Sequence, residues 1–454
     1  MRPRRLGLLV AFSLVVAACG GSAGTPAAPT GTTAAPGSAA PGTAAPVETA
    51  AAPVDLTMWM GYTAPPPEDQ AYEYNSLKAI VDAFTTAHPN VHVTMEYVNS
   101  DLALEKATVA LQGDKQPDIS YQYGTNMPQV AQAPKIVDLT ERVKDPDFGW
   151  DDFFPGERAV ATVDGKVLGV TALVDNLAVV YNKDLFKAAG IAEPGPDWTW
   201  DDLRAAAKAV SKPADKIFGL AFPADASETM VWQNVALLWA AGGDILSPDN
   251  TKAIFNSPEG VRAVTVLQQL AQDGSLLLDF HPDSPATAQL FNSGKIGMVI
   301  TGPWGLGDFT DVNYGVQFMP AFDKGGSHET IAGPDNWVIF DNGPDRVNAS
   351  WELLKWITSK ENVLKDSMAT GHLPLRTSVQ TMPEFAPFNE KFPGVGLFAD
   401  NLKNVLKARP QIAAYPQIST LYGQAIANVL MGKATPQEAL DAAATQADAI
   451  LAAP

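Results

Sequence analysis

Two hydrophobic periods alternate along the chain from residue 54 onward, and their order predicts the fold. Apolar residues at 56–60 indicate a short strand, residues 91–97 alternate as a second strand, and residues 118–121 indicate a third. Between the first two strands, four apolar residues share one face of a helix: Leu77, Ile80, Val81 and Phe84. Another helix is expected around residues 102–111. This order is typical of a parallel α/β sheet, whose ligands bind beyond the carboxyl ends of the strands.

A second α/β region begins near residue 167. Its predicted strands cover Val167–Thr171, Ala178–Tyr181 and Ile296–Thr301, with helices between them. One of these helices opens with a capping box of Thr199 and Asp202. The pattern therefore predicts two α/β units in one chain.

From about Trp351 the chain becomes mostly helical. Trp351 and Leu354 lie three positions apart on an apolar row. The last helix has Thr435 at its N-cap and Glu438 three positions later, a strong start signal.

The N-terminus has the pattern of an export signal. A basic start, Met1–Arg5, precedes the apolar run Leu6–Val16, which is too short to span about 30 Å of hydrocarbon. Val16-Ala17-Ala18-Cys19 resembles a bacterial lipobox, which implies cleavage before Cys19 and a lipid on its thiol. The alternative is an ordinary signal peptide with an incidental cysteine. We predict a lipoprotein signal peptide over residues 1–19.

The segment after Cys19 differs in composition from everything that follows. Residues 20–53 are almost entirely Ala, Gly, Pro, Thr and Ser, with Glu48 as the one charge. Such a segment has too few apolar side chains to form a core. We predict a disordered tether, which leaves residues 54–454 for the folded body, a length that suits two lobes of ordinary size.

The charge of the chain excludes several partners. Thirty-one Lys and Arg stand against 50 Asp and Glu, which gives a formal net charge of −19. This charge repels nucleic acid and anionic lipid surfaces. With 46% hydrophobic and 18% charged residues, the composition is that of a globular protein.

Motifs for metals, cofactors and phosphates are missing from the sequence. Cys19 is the single cysteine, and His88 and His92 have Pro89 between them, so they cannot share a helical face as metal ligands. Neither a phosphate-binding loop nor a dinucleotide fingerprint occurs. We expect no metal, no cofactor and no enzymatic activity. A glycan hydrolase stays open as an alternative, because spatial separation decides whether two carboxylates work together.

One aromatic residue stands out by its position. Trp304 follows the strand Ile296–Thr301 behind Pro303, which ends the strand. A bulky aromatic at the carboxyl end of a sheet strand is placed where ligands bind. The alternative interpretation is a packing lid over the core.

Several motifs together resemble one known family. In family order they are Gln116–Ile119, Tyr181–Phe186, Trp198–Leu203, Ala241–Gly243, Gln289–Trp304 with Val312–Val316, and Tyr415–Ser419. The set is similar to the extracellular solute-binding proteins of ATP-driven sugar importers, family 1, and in particular to the maltose-binding proteins. The resemblance covers most of the body. It implies an α/β, two-lobed periplasmic-binding-protein type II fold with the ligand cleft between the lobes.

The resemblance also implies where the lobes begin and end. Lobe 1 would comprise residues 54–172 and 333–377, and lobe 2 residues 173–332 and 378–454. The chain would cross between the lobes near residues 172–175, 331–334 and 376–380.

Binding residues follow from the same resemblance, position by position. Trp304 matches a tryptophan that stacks on a sugar ring, and Trp232 and Tyr422 fall where maltose-binding proteins have further aromatics. Asp175 matches a glutamate that accepts bonds from sugar hydroxyls. Further expected cleft residues are Asp335, Asn336, Trp337 and Arg376.

The chain departs from the maltose pattern at other positions. Gln122, Thr125 and Asn126 replace a tryptophan, an aspartate and an arginine. Tyr62 and Thr63, in the loop after the first strand, replace charged groups. A different sugar from maltose is therefore expected.

The sequence signals and the resemblance together predict a lipid-anchored, exported substrate-binding component of an importer. It would bind a mono- or oligosaccharide by aromatic stacking and hydroxyl hydrogen bonds, close by hinge motion and dock on membrane permease subunits. We expect a monomer on the outer face of the bacterial cytoplasmic membrane, held there by its lipid alone, with no nucleic acid partner. The alternative ligands are a glycerophosphodiester or a polyamine.

Overall fold

The computed structural model describes residues 52–61, 72–278 and 285–453. Within these residues the strands are β1 (Val54–Met60), β2 (Val91–Tyr97), β3 (Ile119–Gln122), β4 (Thr162–Val163), β5 (Lys166–Val167), β6 (Val170–Asn176), β7 (Ala178–Asn182), β8 (Phe218–Ala221), β9 (Leu276–Leu277), β10 (Ile296–Thr301), β11 (Tyr314–Gln317) and β12 (Ala332–Ile339).

The helices of the described residues are α1 (Tyr72–Ala87), α2 (Ser100–Gln112), α3 (Met127–Val130), α4 (Pro155–Val160), α5 (Lys183–Ala189), α6 (Trp200–Val210), α7 (Glu228–Ala240), α8 (Pro258–Gln272), α9 (Pro285–Asn292), α10 (Pro344–Ile357), α11 (Lys360–Thr370), α12 (Phe388–Lys391), α13 (Val395–Asn401), α14 (Tyr415–Leu430) and α15 (Pro436–Leu451). None of them is long and apolar enough to cross a membrane.

The first sheet has the strand order β2-β1-β3-β12-β6. Strands β1, β2 and β3 are parallel, as the sequence predicts, and α1 lies between β1 and β2 along the chain. The predicted helical face is confirmed, because Leu77, Ile80, Val81 and Phe84 are the buried residues of α1. Strand β12 runs antiparallel to both β3 and β6. The carboxyl ends of β1, β3 and β6 and the amino end of β12 therefore share one edge.

The second sheet has the order β11-β7-β10-β8-β9. Strands β8, β9 and β10 are parallel, whereas β7 is antiparallel to β10 and β11. The two faces of this sheet contact different sets of buried side chains. One face packs on α6, α7, α8, α14 and α15. The predicted capping box forms at Thr199 with Asp202, and the predicted helix start at Thr435 also forms a capping box, with Glu438. The fold is the two-lobed α/β class expected from the sequence.

Three chain segments meet where the two sheets are joined. Leu177 separates β6 from β7, and its carbonyl accepts a bond of 2.7 Å from the Thr330 hydroxyl and one of 2.9 Å from Asn401 Nδ2. Asn401 Nδ2 also donates to Asn176 Oδ1 over 2.8 Å. The backbone N–H of Thr330 donates to the Asn404 carbonyl over 3.1 Å. These bonds tie residues 176–177, 330 and 401–404 into one junction.

This junction differs in place from two of the three predicted crossings. Residues 172–175 lie within β6 of the first sheet, so the chain leaves that sheet at Leu177. Residues 377–391 pack against α11, which itself packs on α1 of the first lobe. The third connection lies near residues 401–404. Beyond it the chain packs against α7 of the second lobe, where Arg409 pairs with Glu228. The crossing expected at residues 331–334 overlaps the start of β12, which begins at Ala332.

Candidate functional site

Two tryptophans form an aromatic wall on the second lobe. Trp232 on α7 and Trp304 after β10 stack with ring centroids 5.8 Å apart and an angle of 20° between their planes. The Trp232 indole N–H donates to the Ala332 carbonyl over 3.2 Å, which fixes the ring against the start of β12. Neither ring is fully buried. The structure thus brings together two residues that the sequence assigns to one site.

Helix α1 of the first lobe reaches this wall. Tyr72, the first residue of α1, donates its hydroxyl proton to the backbone carbonyl of Trp304 over 2.6 Å. Its ring lies so close to Gly307 that a Cβ built there would meet it at 3.1 Å. The wall is thus held from both lobes.

A buried histidine links two carboxylates beside the wall. His372 Nδ1 forms a hydrogen bond with Asp175 Oδ2, and its Nε2 lies 3.2 Å from Glu73 Oε1. The Leu373 N–H donates to the second oxygen of Asp175 over 3.1 Å. The His372 ring also stacks with Trp304, with centroids 6.1 Å apart. Asp175 therefore has both oxygens bonded within the protein.

Electrostatics keep the imidazole of His372 charged. Burial lowers its pKa, but the charges of Asp175 and Glu73 and their hydrogen bonds outweigh this and hold the pKa well above its ordinary value. Asp366 on α11 interacts with the charges of the same three residues and accepts a hydrogen bond of 2.7 Å from the Ser76 hydroxyl. Burial raises the pKa of Asp366, while His372 acts in the opposite direction.

A second buried carboxylate, Asp335, lies at the amino end of β12. It accepts hydrogen bonds from the Tyr121 hydroxyl and, over 3.2 Å, from the Gly124 N–H. Burial raises the pKa of Asp335 to about 6, although Tyr121 and the charge of Arg409 lower it. A Cβ built on Gly333 would lie 3.4 Å from the Trp232 ring and 3.9 Å from Asp335 Oδ2. Asp335 is thus a close neighbour of the wall.

Glu157 on α4 adds a third buried acid. Its Oε2 is buried and has no hydrogen-bond partner among the described residues. Burial, with the charges of Asp335 and Asp175 as smaller causes, raises its pKa well above the ordinary value. Burial therefore favours the protonated, neutral form of Glu157.

The predicted polar residues of the first lobe form a short network. Asn126 Nδ2 donates to Gln122 Oε1 over 3.2 Å, and Gln122 Nε2 donates to Ser120 Oγ over 3.0 Å. Asn336 lies opposite Gln122 in the β12–β3 register, so the two side chains share one face of the sheet. Thr125 is buried beside them in the turn after β3.

Three predicted site residues lie in the core instead, and we correct their assignment. Trp337 is 1% exposed and packs on Tyr121, since it faces the opposite side of β12 from Asn336. Tyr422 is fully buried on α14 and bonds to Asn234 Oδ1 over 2.6 Å.

Arg376 is the third correction. Its guanidinium donates to the carbonyls of Thr358, Gly149 and Phe148. It also lies over the rings of Phe153 and Phe148, 4.3 and 5.4 Å from their centroids. Every one of these contacts ties loops of the first lobe together, so Arg376 has a packing role.

Two parts of the sequence-based prediction lie outside the described residues. These are the loop residues Tyr62 and Thr63, and the N-terminal signal and tether with Cys19. They stay predictions.

Sequence reasoning missed several residues of the site. His372 and Glu73 are 299 positions apart, and neither belongs to a motif that identifies a partner. Arg409 is a further buried cation, bonded to Glu228, which also accepts bonds from Tyr415 and Ser419. The only local signal for His372 is Gly371, which ends α11 in the left-handed conformation and directs the chain inward.

The chemistry that this arrangement supports is binding. Across the ranges that the structure describes, no three His, Cys, Asp or Glu side chains are placed to hold a metal ion. What the site offers is a flat apolar wall with hydrogen-bonding groups beside it. That combination suits a ligand with apolar faces and a polar rim.

Known proteins resemble this chain over most of its length. Residues 79–393 match the sequence profile of a family described as bacterial extracellular solute-binding protein. The sn-glycerol-3-phosphate-binding periplasmic protein UgpB of Yersinia enterocolitica is 26% identical over 405 residues, which cover 84% of this chain and 89% of the relative.

Two solved structures extend the comparison to the fold. The cyclic alpha-maltosyl-1,6-maltose binding protein from Arthrobacter globiformis is 28% identical, with a TM-score of 0.70 and coverage of 88% of this chain and 99% of that chain. An ABC transporter solute binding protein from Thermotoga lettingae, bound with alpha-D-tagatose, is 25% identical, with a TM-score of 0.77 and coverage of 88% and 100%.

Proposed function

Since the chain belongs to the family of bacterial extracellular solute-binding proteins, we propose that it binds a neutral mono- or oligosaccharide for an ABC importer. The observation that carries the proposal is the wall of Trp232 and Trp304 beside the buried carboxylates Asp175 and Asp335. Members of this family bind solutes for transport and do not convert them, so the hydrolase alternative is set aside.

A pyranose matches the wall physically. Its ring has apolar C–H faces, which pack on flat aromatic rings, and a rim of hydroxyls, which need short polar partners. The ring planes of Trp232 and Trp304 differ by 20° and the rings stack on each other. Their centroids are 5.8 Å apart, too close for a sugar to enter between them, so the sugar would contact the outside of the stacked pair.

Stacking alone is too weak for the function. Two rings contribute about 1 to 3 kcal/mol, whereas micromolar binding corresponds to about 8 kcal/mol. Hydroxyl bonds to the buried polar residues would supply much of the difference, at about 1.5 to 3 kcal/mol for each bond to a charged group. Asp335, Gln122 and Asn126 lie on the shared edge of the first sheet and are our candidates.

The charges argue against an anionic ligand. The known relatives include a protein named for sn-glycerol 3-phosphate, and a phosphate needs a cation or a free helix N-terminus. Arg409 is the buried arginine near Asp335, but Glu228 already bonds to it. Asp175, Asp335 and Glu73 lie beside the wall and outnumber the imidazolium of His372, so the balance of charge there is negative.

A polyamine is also disfavoured. Its ammonium groups would need carboxylates whose negative charge is not already balanced. Asp175 and Glu73 share the imidazole of His372, and burial raises the pKa of Asp335 to about 6. A neutral ligand remains the best match.

The test is a ligand panel measured by thermal shift and then by calorimetry. It should contain mono- and oligosaccharides of several linkages, polyols, glycerophosphocholine, sn-glycerol 3-phosphate and spermidine. The proposal expects a saccharide to give the largest stabilisation. A larger response to either phosphate compound or to spermidine would contradict it.

We further propose that the lobes close by hinge motion around the junction at Leu177, and that the closed form docks on the permease. A ligand that contacts both lobes binds the closed form more tightly, which shifts the population toward it. Small-angle scattering with and without the bound sugar tests this, because closure should reduce the radius of gyration.

The lipid anchor is part of the same proposal. Cleavage before Cys19 and a tether over residues 20–53 would hold the body outside the cytoplasmic membrane. Replacement Cys19→Ser should release the protein from the membrane fraction, and mass spectrometry of the wild-type N-terminus should show a diacylglyceryl group. A wild-type protein cleaved elsewhere and free of lipid would contradict the anchor.

A further inference from the structure

His372 occupies a position where three parts of the molecule meet. Its ring bonds to Asp175 at the end of β6 and to Glu73 in the first turn of α1, and it stacks with Trp304 of the second lobe. The residue is 5% exposed. Its ring therefore connects the junction strand, the first helix and the aromatic wall.

Both ring nitrogens of His372 face a carboxylate oxygen. A neutral imidazole has one N–H donor and one bare nitrogen acceptor. In that form one nitrogen lone pair would point at a carboxylate that has no proton to give. Only the imidazolium, with two N–H donors, satisfies both contacts at once.

Other charges around the ring act in the same direction. The groups that face it are Asp175 from β6, Glu73 from α1 and Asp366 from α11, the helix that ends just before it. Trp304, the aromatic neighbour, is uncharged but polarisable and stacks with the ring. Loss of the ring proton would leave these acids close together without a counter-charge, which is unfavourable for buried groups.

We propose that His372 is a positioning residue of the binding cleft, whose imidazolium fixes Asp175, Glu73 and Trp304 relative to one another. The cleft is then assembled only while the ring carries both protons. Deprotonation releases one of the two carboxylates and loosens the support of the wall. This inference rests on the proposed function only in that Trp304 is taken as part of the sugar site.

The first experiment needs no ligand. Long-range proton–nitrogen spectra of histidine-labelled exported protein distinguish imidazolium from neutral imidazole, and His372→Asn identifies the signal. The inference expects both nitrogens of His372 to be protonated at pH 7.5. A neutral His372 at that pH would overturn it.

A second measurement connects the proton to the wall. Tryptophan fluorescence should change with the same pH midpoint as the His372 signal, and this transition should be missing in His372→Asn. In Glu73→Gln the midpoint should move to lower pH, because one of the two carboxylate partners is removed. An unchanged midpoint in Glu73→Gln would count against the charged contact.

The matched control is His328→Asn. His328 is partly buried and its Nδ1 lies 2.7 Å from the Met319 carbonyl, so its replacement also removes a buried ring bond. The pH transition of tryptophan fluorescence should persist in this variant. Its loss there would show that any buried histidine produces the effect.

The saccharide of the panel that gives the largest thermal shift serves as the binding probe. Its affinity should fall at least about tenfold as pH rises through the midpoint, which corresponds to about 1.4 kcal/mol. His372→Asn should bind this saccharide weakly at every pH, without the pH dependence. A protein that titrates as expected and binds no sugar contradicts the proposed function and still supports the positioning role. An affinity that stays constant while His372 titrates would overturn the positioning role.

Discussion

The Tyr72 hydroxyl donates to the backbone carbonyl of Trp304, so the first residue of α1 reaches across to the aromatic wall of the other lobe. One side of the cleft thus fixes the other through a single side chain. The bond is 2.6 Å long, and the Tyr72 ring also packs on Gly307.

Replacement Tyr72→Phe should therefore weaken ligand binding. It removes about 1 kcal/mol of hydrogen bonding between the lobes, which corresponds to an affinity about fivefold lower. Calorimetry with the best sugar of the panel measures this. Tyr97→Phe, on the exposed end of β2, is the control and should bind as wild type. Equal affinity of Tyr72→Phe and wild type would contradict a role of this bond in closure.

The aromatic wall gives a second prediction. Trp304→Ala and Trp232→Ala should each weaken sugar binding by at least about 0.5 to 1.5 kcal/mol, because each removes one stacking ring. Trp150→Ala is the matched control, since Trp150 is partly exposed and stacks on Phe148 in the first lobe. Wild-type affinity in both wall variants, measured by calorimetry, would contradict the site assignment.

Tyr422 gives a prediction about stability alone. Tyr422→Phe removes the 2.6 Å bond to Asn234 in the core of the second lobe. We expect the free energy of unfolding to fall by about 1 to 3 kcal/mol and the sugar affinity to stay unchanged. Urea denaturation and calorimetry on the same preparation separate the two effects. A selective loss of binding would restore Tyr422 to the cleft.

Asp335 predicts a pH dependence of stability. Burial raises its folded-state pKa to about 6 from an ordinary value of 3.8. The folded protein then holds the proton more tightly than the unfolded chain, so stability falls as pH rises from about 4 to about 6. Relative to Asp335→Asn, the wild type should lose about 2 to 3 kcal/mol across this window.

Urea denaturation at a series of pH values measures that difference. Asp164→Asn is the control, because Asp164 is exposed in a turn. Its stability curve should run parallel to that of the wild type. If Asp335→Asn also ran parallel, the carboxyl would titrate normally in the folded state.

Local patterns predicted the secondary structure well because they depend on near neighbours. The apolar face of α1, the capping box at Thr199 and the helix start at Thr435 form as expected, since each needs only residues within a few positions. The antiparallel strand β12 was harder to place, because its partners Gln122 and Thr171 are contributed by distant segments.

The same distinction between local and distant signals applies to the residues of the site. Trp304 could be found because a strand and a proline mark its position. Tyr422 and Arg376 carry no mark that separates a core side chain from a cleft side chain. Their contacts with Asn234 and with loop carbonyls of the first lobe show the difference only in the folded chain. His372 was missed because its role depends on Glu73 and Asp175, which only the folded chain brings to it.

The junction at Leu177 has a geometric consequence for transport. In the proposed closure, a carbonyl tied by Thr330 and Asn401 would move least and would lie close to the rotation axis. Displacement grows with distance from an axis. The wall lies near it, since Trp232 bonds to Ala332, the partner of Asn176 in the β12–β6 register. A short ligand near Asn176 would displace the outer rim of the lobes little, whereas a longer ligand would displace it further. Ligand length would thus be converted into travel at the surface that meets the permease.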